Sequence, residues 1–314
     1  MRGLRRTLAA ACCAAMLALV SPSLWAQAAV DNSGNLQVDV RLVDVFVTVT
    51  DASGFPVRGL DKEDFSITEN GHPESIRVFD RESEMPLSIV LAIDTSLSVH
   101  KDLGLEKEAA HDFVHSLLRP QDRLELLSYA AEVQEFVPFT NDLRRMDRGI
   151  DQMQGVGPTA LYDAIYQGAT DLTGMPGRKV MVVVGDGDNS MKGVSYDDAR
   201  RQALRAQAMV YSLIIVPIAA SAGRDTGGEH ALIQLSEDTG GKYVYVEGPR
   251  QLQAAFAGVS DDLRTQYLLG YYPVPHAGDP DFRRTQVHLA GPFQDAQYQL
   301  RYRMGYYAHA ATGP

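Results

Sequence analysis

The chain has 314 residues, 45% of them apolar, and a formal charge of −11 from 29 basic and 40 acidic side chains. This length suits one large and one small domain, with enough apolar residues for a full core. The acidic balance argues against nucleic acid as a partner, because phosphate binding needs clustered Lys and Arg.

Residues 1–28 read as a secretory signal peptide. Arg2, Arg5 and Arg6 form a basic start, 7–20 is apolar, and Ala26-Gln27-Ala28 is a small-x-small cleavage site. Its removal takes away bases and no acids, so the mature chain is more acidic still. Arg5-Arg6 fits a twin-arginine export signal poorly, judged by the residues that follow. Cys12 and Cys13 both lie in the apolar stretch. They read as filler rather than a lipid anchor: few apolar residues precede Cys12, and Ala9 stands where a Leu is usual. A cysteine-free mature chain needs no disulfide when its core is this large. No later stretch is long and apolar enough to span a bilayer. The expectation is an exported protein, periplasmic or extracellular.

The mature chain opens in β. LQVDVRLVDVFVTVT (36–50) alternates, with a one-residue phase slip at Leu42-Val43 that predicts a bulge or a change of sheet. FSITENGHPESIRVF (65–79) predicts a hairpin around Asn70-Gly71. Residues 36–82 thus form a first β portion. Over 86–264 the pattern changes to apolar β-runs alternating with amphipathic helices. The strands are predicted at 87–94, 123–130, 179–186, 209–218 and 242–246, and helices at 106–118, 160–172, 195–209 and about 250–264. Several of the runs are almost wholly apolar, as in a parallel sheet covered on both faces. The fold class is therefore α/β, a doubly wound, mostly parallel sheet. The tail, 265–308, returns to β at 285–291 and 298–308. Neither β flank has enough strands for a stable sandwich alone. The expectation is one small all-β sandwich built from both flanks, with the α/β domain inserted.

In an open α/β sheet, ligands bind beyond the carboxyl ends of the strands, where the strand order reverses. Three segments converge there on paper. IDTSLS (93–98) supplies Asp94, Ser96 and Ser98; GPTALYDAI (157–165) supplies Thr159 at a helix start; VVVGDGDNS (182–190) supplies Asp186 at a strand end. Two carboxylates and three hydroxyls, with no sulfur or imidazole, suit a hard cation. Mg²⁺ fits this set better than Zn²⁺ or Cu²⁺. An ion held by few carboxylates keeps positive charge and, with one position open, can accept a carboxylate from a partner.

These segments resemble the metal-ion-dependent adhesion site of von Willebrand factor type A domains. Asp94, Ser96 and Ser98 match its D-x-S-x-S motif, Thr159 its second-loop threonine, and Asp186-Gly187 its D-G motif. The resemblance implies direct coordination by the hydroxyls, with the aspartates acting partly through water. It also suggests a movable helix near 250–264. Pro158 stands where Gly is frequent and Gly185 where Thr is common; neither is a ligand in the family pattern. The ends of the chain (38–71 and 300–308) resemble a bacterial subfamily best known from acidobacterial genomes, which brings no defined activity.

The leading expectation is a non-enzymatic, metal-dependent adhesion-type module with a protein partner. Mg²⁺, Mn²⁺ or Ca²⁺ would be held by Asp94, Ser96, Ser98, Thr159 and Asp186. The alternatives are an envelope scaffold with a vestigial or stabilising site, and a metal-assisted hydrolase using the same ion or the His111/His115 pair, for which Asp163 and Asp188 are the spare acids near the ligands. Other features read as structural. HDFVH (111–115) has zinc-like spacing but no third ligand, and its histidines are expected on a solvated face. RRMDRGIDQM (144–153) reads as another solvated face, SAGRDTGGEH (221–230) as a mobile loop, and the late tyrosines as sandwich packing.

Overall fold

The computed structural model describes residues 42–81, 84–96, 103–155, 157–216, 226–294 and 297–308. The expected signal peptide, Ser98, and residues 36–41 of the expected first strand lie outside these. No helix among the described residues is long and apolar enough to cross a membrane.

In chain order the elements are β1 (Val43–Thr50), β2 (Phe65–Glu69), β3 (His72–Glu74), β4 (Ile76–Arg81), β5 (Leu87–Asp94), α1 (Leu103–Leu117), β6 (Arg123–Tyr129), β7 (Val133–Thr140), α2 (Leu143–Gln152) and α3 (Leu161–Leu172). There follow β8 (Arg178–Gly185), α4 (Tyr196–Ala206), β9 (Met209–Ile215), α5 (Thr226–Thr239), β10 (Tyr243–Val246), α6 (Pro249–Arg264), β11 (Tyr267–Tyr271), β12 (Phe282–Leu289), β13 (Gln299–Arg301) and β14 (Gly305–Tyr307).

The central sheet runs β10-β9-β8-β5-β6-β7, parallel except for β7 at its edge. β5 and β9 are buried along their whole length, which is why they read as almost wholly apolar runs. Alternate residues of β5 serve opposite layers. Leu87, Ile89, Leu91 and Ile93 pack with α1, α2 and α6, while Val90 and Ala92 pack with α3, α4 and α5.

The sandwich consists of sheets β13-β1-β11-β4 and β14-β12-β2-β3. Each combines strands from before and after the α/β portion, and they share one core. Asn70 and Gly71 both have positive φ (49° and 85°), the twisted turn that closes β2 onto β3. Tyr271 and Tyr306 are buried, and their hydroxyls donate to Glu69 Oε2 at 2.7 and 2.8 Å. The joint between sandwich and α/β portion is polar. Asp262, in the last turn of α6, accepts two bonds from Arg301 (2.7 and 3.0 Å) and one from the Tyr211 hydroxyl (2.9 Å).

Several sequence expectations change. The stretch 144–153 is not simply a solvated face. As α2 it buries Met146, Gly149 and Ile150, and Asp142 caps it by accepting from the Arg144 and Arg145 N–H groups. A Cβ at Gly149 would lie 2.2 Å from a Val137 methyl, so the glycine lets the helix close onto β7. The predicted loop at 221–230 already belongs to α5 from Thr226 on. The predicted strand at 298–308 is two strands in different sheets. The histidines of α1 lie on a partly solvated face, as expected, and that face also carries the acids of α2. His111 Nδ1 and His115 Nε2 each lie 2.9 Å from Asp147 Oδ1, and His111 Nε2 lies 3.1 Å from Asp151 Oδ1.

This clasp should respond to pH. Burial lowers the His111 pKa, but bonds to Asp147 and Asp151 outweigh it and hold the ring above its ordinary value. Burial likewise raises Asp147, but bonds to His115 and His111 hold it below the usual carboxylate range. The clasp is complete with His111 protonated and Asp147 ionised. It weakens as pH rises through the elevated His111 value and as pH falls through the depressed Asp147 value. With both groups about a third exposed, solvent screening keeps the effect small. Asp147→Asn is expected to lower stability in urea by roughly 0.5–1 kcal/mol near pH ~5.5 and by clearly less near pH ~8.5.

Candidate functional site

Strand order reverses at β5. The chain lays β6 on one side of it, then returns through α2 and α3 to lay β8 on the other. Asp94 closes β5 in register with Tyr129, and Ile93 pairs with Val184 of β8. The first loop therefore leaves the sheet at its crevice, between the ends of two other strands.

Asp94 is 1% exposed. The Ser96 N–H donates to its Oδ1 at 2.8 Å, a tight turn set by the aspartate itself. Its Oδ2 is buried and has no hydrogen-bond partner among the described residues. Burial pushes the Asp94 pKa up to about 7; bonds from Ser96 oppose this, and the charges of Asp186 and Asp188 add to it. Dry surroundings and a missing counter-charge thus act together on this carboxylate.

The other two loops are stitched to the first. Gly155 lies so close to Thr95 that a Cβ there would sit 2.0 Å from the threonine hydroxyl. The Thr95 N–H donates to the Tyr129 carbonyl at 2.9 Å. Thr159 is buried; its N–H donates to Ser190 Oγ at 2.9 Å, and its carbonyl accepts from the Met191 N–H at 3.0 Å. The Asn189 side chain accepts from the Tyr162 N–H at 3.2 Å. In the third loop the Asp188 N–H donates to Asp186 Oδ1 at 3.0 Å. Gly187 has φ +85°, and a Cβ would meet the Glu229 backbone nitrogen at 3.0 Å, so this loop lies against the first turn of α5.

Asp94, Ser96 and Thr159 are buried and Asp186 is half-buried at this one crevice, while Ser98 lies outside the described residues. Thr159 does not cap its helix. The N-cap of α3 is Ala160, which makes no side-chain capping bond. Among the described residues no three His, Cys, Asp or Glu are grouped to hold a metal ion. Any ion here relies on hydroxyls beside the two carboxylates, an oxygen-only set that suits Mg²⁺, Mn²⁺ or Ca²⁺. The unpartnered Oδ2 of Asp94 fits such an ion, because a buried carboxylate without a counter-charge costs several kcal/mol.

Sequence reasoning missed Tyr129. Its hydroxyl donates to the Val184 carbonyl at 2.9 Å, and burial beside Asp94, Asp186 and Glu106 holds its pKa far above the ordinary value. It remains a neutral phenol and contributes no charge. It also explains Gly185: a Cβ there would lie 2.4 Å from the Tyr129 hydroxyl and 3.0 Å from Asp94 Oδ2. The signal was present as a strand-end tyrosine beside Asp94, but only the register reveals the meeting.

Residues 89–212, from within β5 to within β9, match the family model of the von Willebrand factor type A domain. Among solved structures, a von Willebrand factor type A protein from Catenulispora acidiphila is similar with a TM-score of 0.51 at 10% identity, over 84% of this chain and 73% of that one. An aerotolerance-related membrane protein from Bacteroides fragilis, carrying multiple mutations to serines, aligns with a TM-score of 0.46 at 20% identity (56% of this chain, 98% of that one). The vWF domain of the type V pili tip protein Mfa5 from Porphyromonas gingivalis aligns with a TM-score of 0.43 at 13% identity (56% and 94%). No curated protein was found to match. The α/β portion therefore has a von Willebrand factor A-like fold, flanked by the antiparallel sheets.

The packing of Gly185 against Tyr129 gives a direct test. Gly185→Ala is expected to destabilise the protein by about 1–3 kcal/mol, an overpacking effect. Combining it with Tyr129→Phe removes the nearest clash, so the double variant should be more stable than Gly185→Ala alone. Urea unfolding of the four proteins reads the coupling; simple additivity would contradict this account of the site.

Proposed function

We propose that the chain is an exported, non-enzymatic protein-binding module of the adhesion type. In this reading Asp94, Ser96, Ser98, Thr159 and Asp186 hold one divalent cation, Mg²⁺ or else Mn²⁺ or Ca²⁺, and an acidic side chain of a partner protein completes its shell. The observation that carries the reading is the buried, unpartnered Oδ2 of Asp94 at the switch point of the sheet. A bound ion supplies there a positive charge and a coordination position for the partner's carboxylate.

The remaining work belongs to the chain. Asp94 and Asp186 each accept a backbone N–H from two residues on, which fixes the carboxylates before anything binds. The Ser190 hydroxyl and Asn189 amide tie the second loop to the third, so the hydroxyl of Thr159 is presented from a braced backbone. Preorganisation of this kind lowers the ordering cost of binding. Export is supported by the basic, apolar and small-residue pattern of 1–28.

The hydrolase reading loses support at Asp163. Its carboxylate accepts the Val194 N–H at 3.3 and 3.4 Å, and a Cβ at Gly193 would lie 2.3 Å from it. This acid holds a loop and is not poised as a general base. Calorimetric titration of Mg²⁺ and Mn²⁺ into metal-stripped protein tests the site. Saturable binding is expected for the wild type, with at least a ~10–100-fold loss in Asp94→Ala and Thr159→Ala, judged by what even outer-shell substitutions cost metal sites. Circular dichroism checks that both variants fold. Equal binding by Asp94→Ala, or none by the wild type, would turn attention to the scaffold reading.

A further inference from the structure

A second polar site lies at the opposite edge of the parallel sheet. Where β8 and β9 begin, the sheet abuts β1 of the sandwich, and they enclose a cavity of about 20 Å³. Arg178, Lys179 and Arg303 line it, with Asp44 as the one acid in its wall. Arg178 is 2% exposed and Arg303 9%.

The Arg178 guanidinium stacks over Phe46 at 4.9 Å and donates through Nη2 to the Leu263 carbonyl. Its Nε and Nη1 are buried with no hydrogen-bond partner among the described residues. Arg303 donates to the Gln207 side-chain oxygen (3.3 Å) and to the Asp44 backbone carbonyl (3.2 Å), both uncharged. The carboxylates nearest Arg178 are engaged elsewhere: Asp262 by Arg301 and Tyr211, and Asp122 by Arg264 and the Leu87 and Arg119 N–H groups. Asp44 Oδ1 is itself buried without a hydrogen bond. Burial lowers Arg178 and Arg303 to about 10, which leaves both charged at neutral pH.

The cavity itself is thus lined by three cations and one carboxylate, with Asp262 and Asp122 acting on Arg178 from outside it. Two buried donors on one guanidinium, left unmet, would cost several kcal/mol. A site holds one water from roughly 10–15 Å³ upward, so this cavity takes a water or a single small ion and excludes sulfate, phosphate and organic acids. A water would meet one or two donors but leave the charge imbalance. We infer that the cavity binds one monovalent anion of halide size, chloride being the common case, between Arg178, Lys179 and Arg303. The ion joins the sandwich to the base of the parallel sheet, at the end remote from the Asp94 crevice.

Thermal unfolding at fixed ionic strength tests this, with sodium chloride compared against sodium gluconate, whose anion is too large to enter. Chloride is expected to raise the wild-type midpoint saturably by a few degrees over gluconate, as for a ligand bound only by the native state. Arg178→Met should abolish that difference. Bromide-soaked crystals of the wild type should show an anomalous peak in the cavity, which decides the matter even if the variant does not fold. Equal wild-type midpoints in the two salts, or a bromide-soaked crystal with only water density at the site, would overturn the proposal.

Discussion

A carboxylate held dry at the fork of a parallel sheet sets the terms for everything around it. Asp94 ends a strand that is buried along its length and flanked on both sides by parallel neighbours. Its position follows from the register alone, and so does its isolation from water. A lone buried charge is tolerated only where the surroundings are rigid and something compensates it. The rigidity is visible in the backbone bonds that stitch the three loops together and in the contact of Gly155 with Thr95. In the function proposed here, that compensation comes from a bound cation.

The sandwich meets this domain largely through polar contacts, with Phe46 of β1 as an apolar side chain that packs against the α/β core. α6 packs against α1 with Phe113 and Phe256 stacked at 4.5 Å, and Gln253 reaches Asp112 at 3.0 Å. At its far end α6 presents Asp262 to Arg301 of β13, and the chain then passes directly into β11. Gln266, in the link, donates to Thr48 of β1 at 2.9 Å. A continuous run of packed side chains thus leads from α1, the first helix after the Asp94 loop, to the sandwich. Contiguity supplies the material for coupling; coupling itself requires a second state of α6 that differs in energy.

Much of this was legible in the sequence because the signals were local. Buried parallel strands are unbroken apolar runs, and Asn70-Gly71 marks its turn by a conformation few other residue pairs adopt. The proposed site residues could be named from sequence because Asp94 and Asp186 stand at strand ends and Thr159 just before a helix. The losses have physical causes. β7 contains Pro138 and alternates poorly, which only an edge strand tolerates. α5 begins with Gly227 and Gly228, poor helix formers, and tertiary packing against the Gly187 loop favours the helix there. β11 follows α6 too closely for a turn signal to separate them. The partners of His111 and His115 lie on another helix, and no spacing within one helix reports that. Thr159 reads as a helix start because it precedes an amphipathic run, yet α3 starts two residues later.

The electrostatics of the crevice bear on how selective such a site is. Both aspartates use one oxygen on the backbone of their own turn, Asp94 on Ser96 and Asp186 on Asp188. Each is left with a single further oxygen, and the other donors proposed for the ion, the hydroxyls of Ser96, Ser98 and Thr159, are neutral. A cation held this way is coordinated without being fully neutralised. The chain as a whole carries −11, and at physiological salt charges are screened over about 8 Å. An approaching acidic side chain therefore feels the crevice only at close range. Without the ion it meets Asp94, Asp186 and Asp188, and like charges at short distance repel. In the function proposed here, an ion would reverse the sign at that one point and make recognition of an acidic partner by an acidic protein conditional on the cation.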